Sequence, residues 1–192
     1  MSDFSLVLPS YVVTWPTPEQ PVLPATIGDI VLIHNKDLAS DAIDQGQRIL
    51  SLTEPSLAPY VWATHCEYVR STGTDSVLSG MAFNGYELKR MSNYAGVPYA
   101  VVHFNFSDEQ RASTRTNDDA MSGVSYGWAQ YVPLILDGIT DGKFEGSWGS
   151  SIICSTHVTL ALMGGGVFPD VQPNFVVPAR IASWVKAAHV IP

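Results

Sequence analysis

The sequence is poor in three things: cysteine, positive charge and long apolar runs. It holds two cysteines, Cys66 and Cys154, and ten basic residues against eighteen acidic ones. Two cysteines without C-x-x-C spacing build neither a zinc site nor a disulfide framework. At most they form one disulfide, and in a reducing cytosol free thiols are the expectation. A formal net charge of −8 with no Lys/Arg cluster argues against sequence-independent nucleic-acid binding, which needs concentrated positive charge. It argues equally against anionic membrane surfaces and strongly anionic substrates. The longest apolar pieces, "IGDIVLI" and "VTLALM", fall well short of the roughly 18–20 residues of a membrane helix. The first residues show no basic-then-apolar segment, so no signal peptide is expected and the chain is assigned to the cytoplasm or a virion. No internal repeat is visible. "GGG" at 164–166 follows a helical stretch rather than a strand, so it reads as a terminator and not a phosphate cradle.

What is present suits one folded domain. Of 192 residues, 46% are hydrophobic and 15% charged, enough apolar material for a core. Residues 1–26 carry prolines at 9, 16, 18, 21 and 24, which predicts an extended, apolar arm that docks on the domain or on another subunit. "GDIVLIHN" predicts a turn at Gly28-Asp29 and a buried strand at Ile30–Ile33. "DLASDAIDQGQRIL" predicts a helix capped by Asp37, and "SLTEPSLAPY" a loop. "THCEYVRS" and "SVLSGMAF" flank "TGTD" as a hairpin, with "GYELKRMSN" and "PYAVVHFNF" as further strands. Ser107 caps a polar helix, "WAQYVPLILDGI" predicts an apolar one, and "TDGKFEGSWGSS" a loop. "IICSTHVTLALM" predicts a helix with Ser150 and Ser151 as caps, and "VPARIASWVKAAHV" a last one with Pro178 in its first turn. This order gives an α+β domain over 27–192 with a central antiparallel sheet and flanking helices.

One constellation carries chemistry. A thiol nucleophile needs a depressed pKa, a base in reach and donors for the oxyanion. Cys154 at a helix N-terminus meets the first through the helix dipole, and the first-turn amides could serve the third. Among His34, His65, His103, His157 and His189, the base is sought in His65, which opens a strand. His157 follows Cys154 by three residues on the same helix, a spacing that aligns ring and thiol poorly. Glu67 lies two residues from His65 and so shares its face, as an alternative orienter. Cys66 points the other way and reads as core. Asp29 reads as a structural turn residue. A metal site from His65, Glu67 and His103 lacks recognisable ligand spacing; no metal and no cofactor are expected.

Taken in order, "GDIVLIHN", "THCEYV", "VLSGMAFNGYELKRMSNY", "YGWAQYV" and "IICSTHVTLALMGGG" resemble the blocks of circularly permuted papain-like cysteine hydrolases. These are relatives of the NlpC-type peptidoglycan peptidases, the YiiX-like proteins and the lecithin retinol acyltransferase group. The resemblance covers roughly residues 27 to 185 and rests on block order. It implies a papain-like fold, Cys154 as nucleophile, His65 as general base, and a third polar residue on the following strand. The family places Glu, His, Asn or Gln there, and the nearest match here is Ser79. Tyr126, in "SYGWAQY", matches a tyrosine-containing block and is implied to line the site or donate to the oxyanion. The implied activity is cleavage of an amide bond in a peptide, such as a peptidoglycan stem peptide in a bacterial or phage setting. The alternatives are acyl transfer or thioester chemistry on the same fold, and a structural or assembly protein that retained it.

Overall fold

The computed structural model describes residues 8–82, 84–127 and 152–188. The helix expected at 128–139, the loop at 140–151 with Ser150 and Ser151, and His189 lie outside these residues.

Six strands form one antiparallel sheet: β1 (Tyr11–Thr14), β2 (Ile30–Ile33), β3 (His65–Val69), β4 (Val77–Ala82), β5 (Gly85–Arg90) and β6 (Tyr99–Phe104). Their spatial order is β1-β6-β2-β3-β4-β5. The α+β class and the antiparallel sheet are therefore as the sequence predicts. Of the arm expected over residues 1–26, the described part from residue 8 lies on its own domain, and it does so as a strand. From Tyr11 to Thr14 it pairs with β6, Val12 opposite His103, and forms an edge of its own domain's sheet. Farther on, Leu23 and Ala25 are core residues. Proline is tolerated at a sheet edge, and here the prolines bracket the four-residue strand without entering it.

Four α-helices are described: α1 (Leu38–Thr53), α2 (Asp108–Ala120), α3 (Cys154–Met163) and α4 (Pro178–Trp184). Asp37 caps α1 by accepting from Ser40 N at 2.7 Å. Ser107 and Gln110 make a reciprocal capping box on α2. Pro55–Tyr60, expected as loop, is a 3-10 helix.

The central strands are buried on both faces, while β1 and β5 at the edges are partly exposed. One face, with Ile30, Leu32, Cys66, Tyr68, Met81, Ala100, Val102 and Phe104, packs on α3, α4 and neighbouring segments. The other, with Val31, Ile33, Val69, Leu78, Tyr99 and Val101, is covered by Leu23, Ala25, Met91 and Tyr94. Helix α3 is buried almost all round, including its polar members Ser155, Thr156, His157 and Thr159. A helix wrapped by protein on every side shows no amphipathic stripe, and "CSTHVTLALM" has none. The glycines after it have a second role beyond termination. A Cβ on Gly164 would lie 2.6 Å from the Ser113 carbonyl oxygen, and one on Gly165 would lie 2.9 Å from Thr114. They let α2 and α3 approach closely.

Gln47 ties these layers to the start of β3. Its side chain donates to Val61 O and Ala63 O, at 3.1 and 2.9 Å, and accepts from Ala179 N at 2.8 Å. Thr64 N bonds Ile33 O at 2.9 Å, so the backbone entering His65 is held on both sides.

Candidate active site

Cys154 is the first residue of α3, and α3 packs on β3. Its N-cap, Ile153, has no side-chain oxygen to cap the first-turn amides. Cys154 lies near enough to Cys66 and to His65 for each to bear on its ionisation, and it shares one buried hydrophobic cluster with Cys66. Both cysteines are free and fully buried. His65 is 8% exposed, and so marks the solvent-facing margin of the cluster.

Cys154 and His65 are thus neighbours, and Glu67 lies beyond His65. His65 Nε2 lies 3.2 Å from Glu67 Oε1, which leaves the other ring nitrogen for the thiol. Glu67 is buried at 1% exposure. Its Oε1 also accepts from Tyr94 O–H at 2.7 Å and lies 3.8 Å from Lys89 Nζ. Gly80 is what makes room for it. A Cβ on Gly80 would lie 2.8 Å from Glu67 Cγ and 2.9 Å from Oε1. The orienting carboxylate therefore comes from the histidine's own strand and crosses over the neighbouring one.

The electrostatics follow this arrangement. For Cys154 the largest influence is the hydrogen bond from the Cys66 thiol, which favours the thiolate. Burial opposes this, and the charge and hydrogen bond of His65 reinforce it. The net result is a thiol well below its ordinary range. Burial alone would lower His65. The Cys154 charge and hydrogen bond outweigh that, with Glu67 adding to them, and raise it from 6.5 to about 10. Burial pushes Glu67 upward, but His65, Lys89 and Tyr94 together bring its carboxyl below the usual value. Cys66 goes the opposite way, raised by burial and by the neighbouring Cys154. These directions favour a proton on His65 over one on Cys154 or Glu67.

Ser79 is not part of it. Its hydroxyl donates to Asp118 Oδ1 at 2.5 Å. Ser79 pairs directly opposite Tyr68, so it shares the face of Tyr68 and Cys66, away from Glu67. The expectation that Ser79 orients His65 is corrected by this register. His157 belongs with Ser79, its Nε2 lying 2.9 Å from Asp118 Oδ1. Tyr86 O–H at 3.1 Å and Arg70 Nε at 2.8 Å complete the shell of this fully buried carboxylate. The Asp118 network ties β4, β5, α2 and α3 together. Serine and histidine both bind the aspartate and not each other, so it is no charge-relay triad.

Tyr126 lies beside the thiols. The Tyr126–Ile152 bridge brings it to the segment entering α3. Burial raises its phenol first, and the Cys154 and Cys66 charges raise it further. His103 goes elsewhere: its Nδ1 bonds Asp29 Oδ2 at 2.8 Å. Asp29 also accepts from Thr26 N at 2.8 Å, as expected of a turn residue. The His65–Glu67–His103 trio is therefore not assembled, and no metal-holding group occurs among the described residues.

Sequence reading missed Cys66 and Tyr94. Cys66 carried a signal, as the only other thiol and the neighbour of His65. Tyr94, in "KRMSNY", carried none.

A scan against protein-family models and a search of curated proteins return no match for this chain.

Proposed function

We propose that the protein is a cysteine hydrolase that cleaves an amide bond, with Cys154 as nucleophile, His65 as general acid and base, and Glu67 as the residue that orients His65. What supports this reading is Cys154 at the buried head of α3, packed on the strand that holds the His65–Glu67 pair. The Cys154 thiolate adds to the amide carbonyl carbon. The carbonyl oxygen becomes an oxyanion, and the uncapped first-turn amides of α3 are the donors within its reach. His65 gives its proton to the leaving amine as the tetrahedral adduct collapses to a thioester. Neutral His65 then takes a proton from water, hydroxide adds to the thioester, and the carboxylic acid leaves as the thiolate returns. Glu67 accepts the Nε2–H throughout, which fixes the ring and supports its charged form. The resemblance to permuted papain-like hydrolases points to a peptide substrate, such as a peptidoglycan stem peptide.

The complete burial of Cys154 favours a second reading, an assembly protein that keeps the fold without turnover. One experiment separates the two. A small thiol-directed electrophile is incubated with wild type, His65→Ala and Cys154→Ser, and labelled sites are mapped. The hydrolase reading expects labelling at Cys154 faster than at a free thiol and lost in His65→Ala. Labelling no faster than a free thiol would leave the assembly reading.

A further inference from the structure

The hydrolase reading uses one thiol, yet both of the chain's cysteines sit in this cluster. They lie 88 positions apart in sequence (154 − 66), one opening α3 and the other second in β3. The fold packs α3 on β3 and buries both thiols in one hydrophobic cluster, and neither is engaged in a disulfide. Cys66 forms no bond in the amide chemistry, although its thiol favours the Cys154 thiolate. We infer that Cys66 is a resolving thiol, and that peroxide oxidation of Cys154 closes a Cys66–Cys154 disulfide that reversibly blocks the nucleophile.

The roles are set by the unlike environments. Cys154 faces the His65 cation, which favours the anionic, oxidisable sulfur; Cys66 is surrounded by Cys154 and apolar neighbours and keeps its proton. The oxidant is a hydroperoxide, hydrogen peroxide in the simplest case. Cys154 thiolate attacks one peroxide oxygen. A sulfur–oxygen bond forms, the oxygen–oxygen bond breaks, and the departing hydroxide takes a proton, which His65 can supply, to leave as water. The sulfur of Cys66 then attacks the Cys154 sulfenic sulfur. A sulfur–sulfur bond forms, the sulfur–oxygen bond breaks, and the leaving hydroxide takes the Cys66 thiol proton as a second water. Two thiols are oxidised by two electrons and one peroxide is reduced to two waters. A dithiol reductant reverses the change. The disulfide also spares Cys154 from sulfinic acid, which is not readily reversed.

The inference rests on the nucleophilic character of Cys154 in the proposed site, but not on amide cleavage. The test treats the full chain with equimolar hydrogen peroxide, alkylates what remains, and measures intact mass and mapped peptides. The expected result is a monomer lighter by two hydrogens, with both cysteines protected from alkylation and both restored by dithiothreitol. Cys66→Ala, and independently Cys66→Ser, should instead gain one oxygen at Cys154, and a second when a further equivalent of peroxide is added. Oxygen addition at Cys154 in wild type with Cys66 still alkylatable overturns the inference, as does a disulfide between two chains or no reaction at all. Electrophile labelling of the reduced protein runs in parallel. Labelled Cys154 without the internal disulfide sinks the redox inference and leaves the hydrolase reading standing.

Discussion

Replacing Gly80 with alanine tests whether Glu67 is placed as described. The three atoms nearest a Cβ at position 80 all belong to Glu67: Cγ at 2.8 Å, Oε1 at 2.9 Å and Cδ at 3.1 Å. Ordinary contact begins near 3.4 Å, so the carboxylate arm must yield by half an ångström or more. Glu67 is buried and its Oε1 is held by Tyr94 and His65. Overpacking of this kind costs about 1–3 kcal/mol. With Glu67→Ala already present, the three clashing atoms are gone. Alanine for glycine within a strand then stabilises by about 0.5–1 kcal/mol through backbone entropy. The four proteins of the double-mutant cycle, unfolded in urea, should give a coupling energy of about 1.5 kcal/mol or more. Gly80→Ala alone should also slow electrophile labelling of Cys154, because Glu67 swings off the His65 ring. An equal effect of Gly80→Ala in both backgrounds would refute the placement.

Tyr94→Phe removes the 2.7 Å donor to the buried Glu67 carboxylate; it should cost about 1.5–3 kcal/mol in chemical denaturation, since hydrogen bonds to charged groups carry that much. The same variant should weaken the hold on His65 and lower the pH at which its proton is lost, read by imidazole NMR titration. Wild-type Cys154 alkylation should stay rapid through neutral pH and decline only on the acid side, where the thiolate takes a proton. His65, raised from 6.5 to about 10, contributes stability in full below 6.5, and that contribution is lost as pH rises toward 10. Asp118→Asn weakens the buried pair with Arg70 and the bond to His157, and should destabilise by about 3 kcal/mol or more without changing Cys154 labelling in the folded fraction. The Asp118 carboxyl is raised by burial but brought lower overall by His157, Ser79 and Arg70. Its contribution is present above the ordinary carboxylate range and is lost as pH falls through its own lowered value.

The sheet and the first two helices were largely legible because they carry local signals: an apolar run at Ile30–Ile33 and Gly73 in a hairpin for the strands, and caps at Asp37 and Ser107 for the helices. The edge strand was not. Tyr11–Thr14 lies among prolines whose local effect is plain, while its pairing with β6 is a tertiary fact. Glu67 was legible by strand parity from His65, because both lie on one strand. Ser79 was implied by the family resemblance alone, and only the Tyr68–Ser79 pairing fixes which face the serine takes. The Asp118 network joins residues from β4, β5, α2 and α3, and no spacing along the chain announces it. Glycines 164–166 announced a helix end but not the close approach of α2.

The central claim is that Cys154 is held as a thiolate by His65. Its direct measurement is the ultraviolet thiolate absorbance of wild type minus that of Cys154→Ser, followed over pH. The account predicts a thiolate already formed at neutral pH and lost on acidification, with the transition moved up toward the ordinary thiol range in His65→Ala. A thiolate that forms only in the ordinary range in wild type, unchanged by His65→Ala, would contradict it.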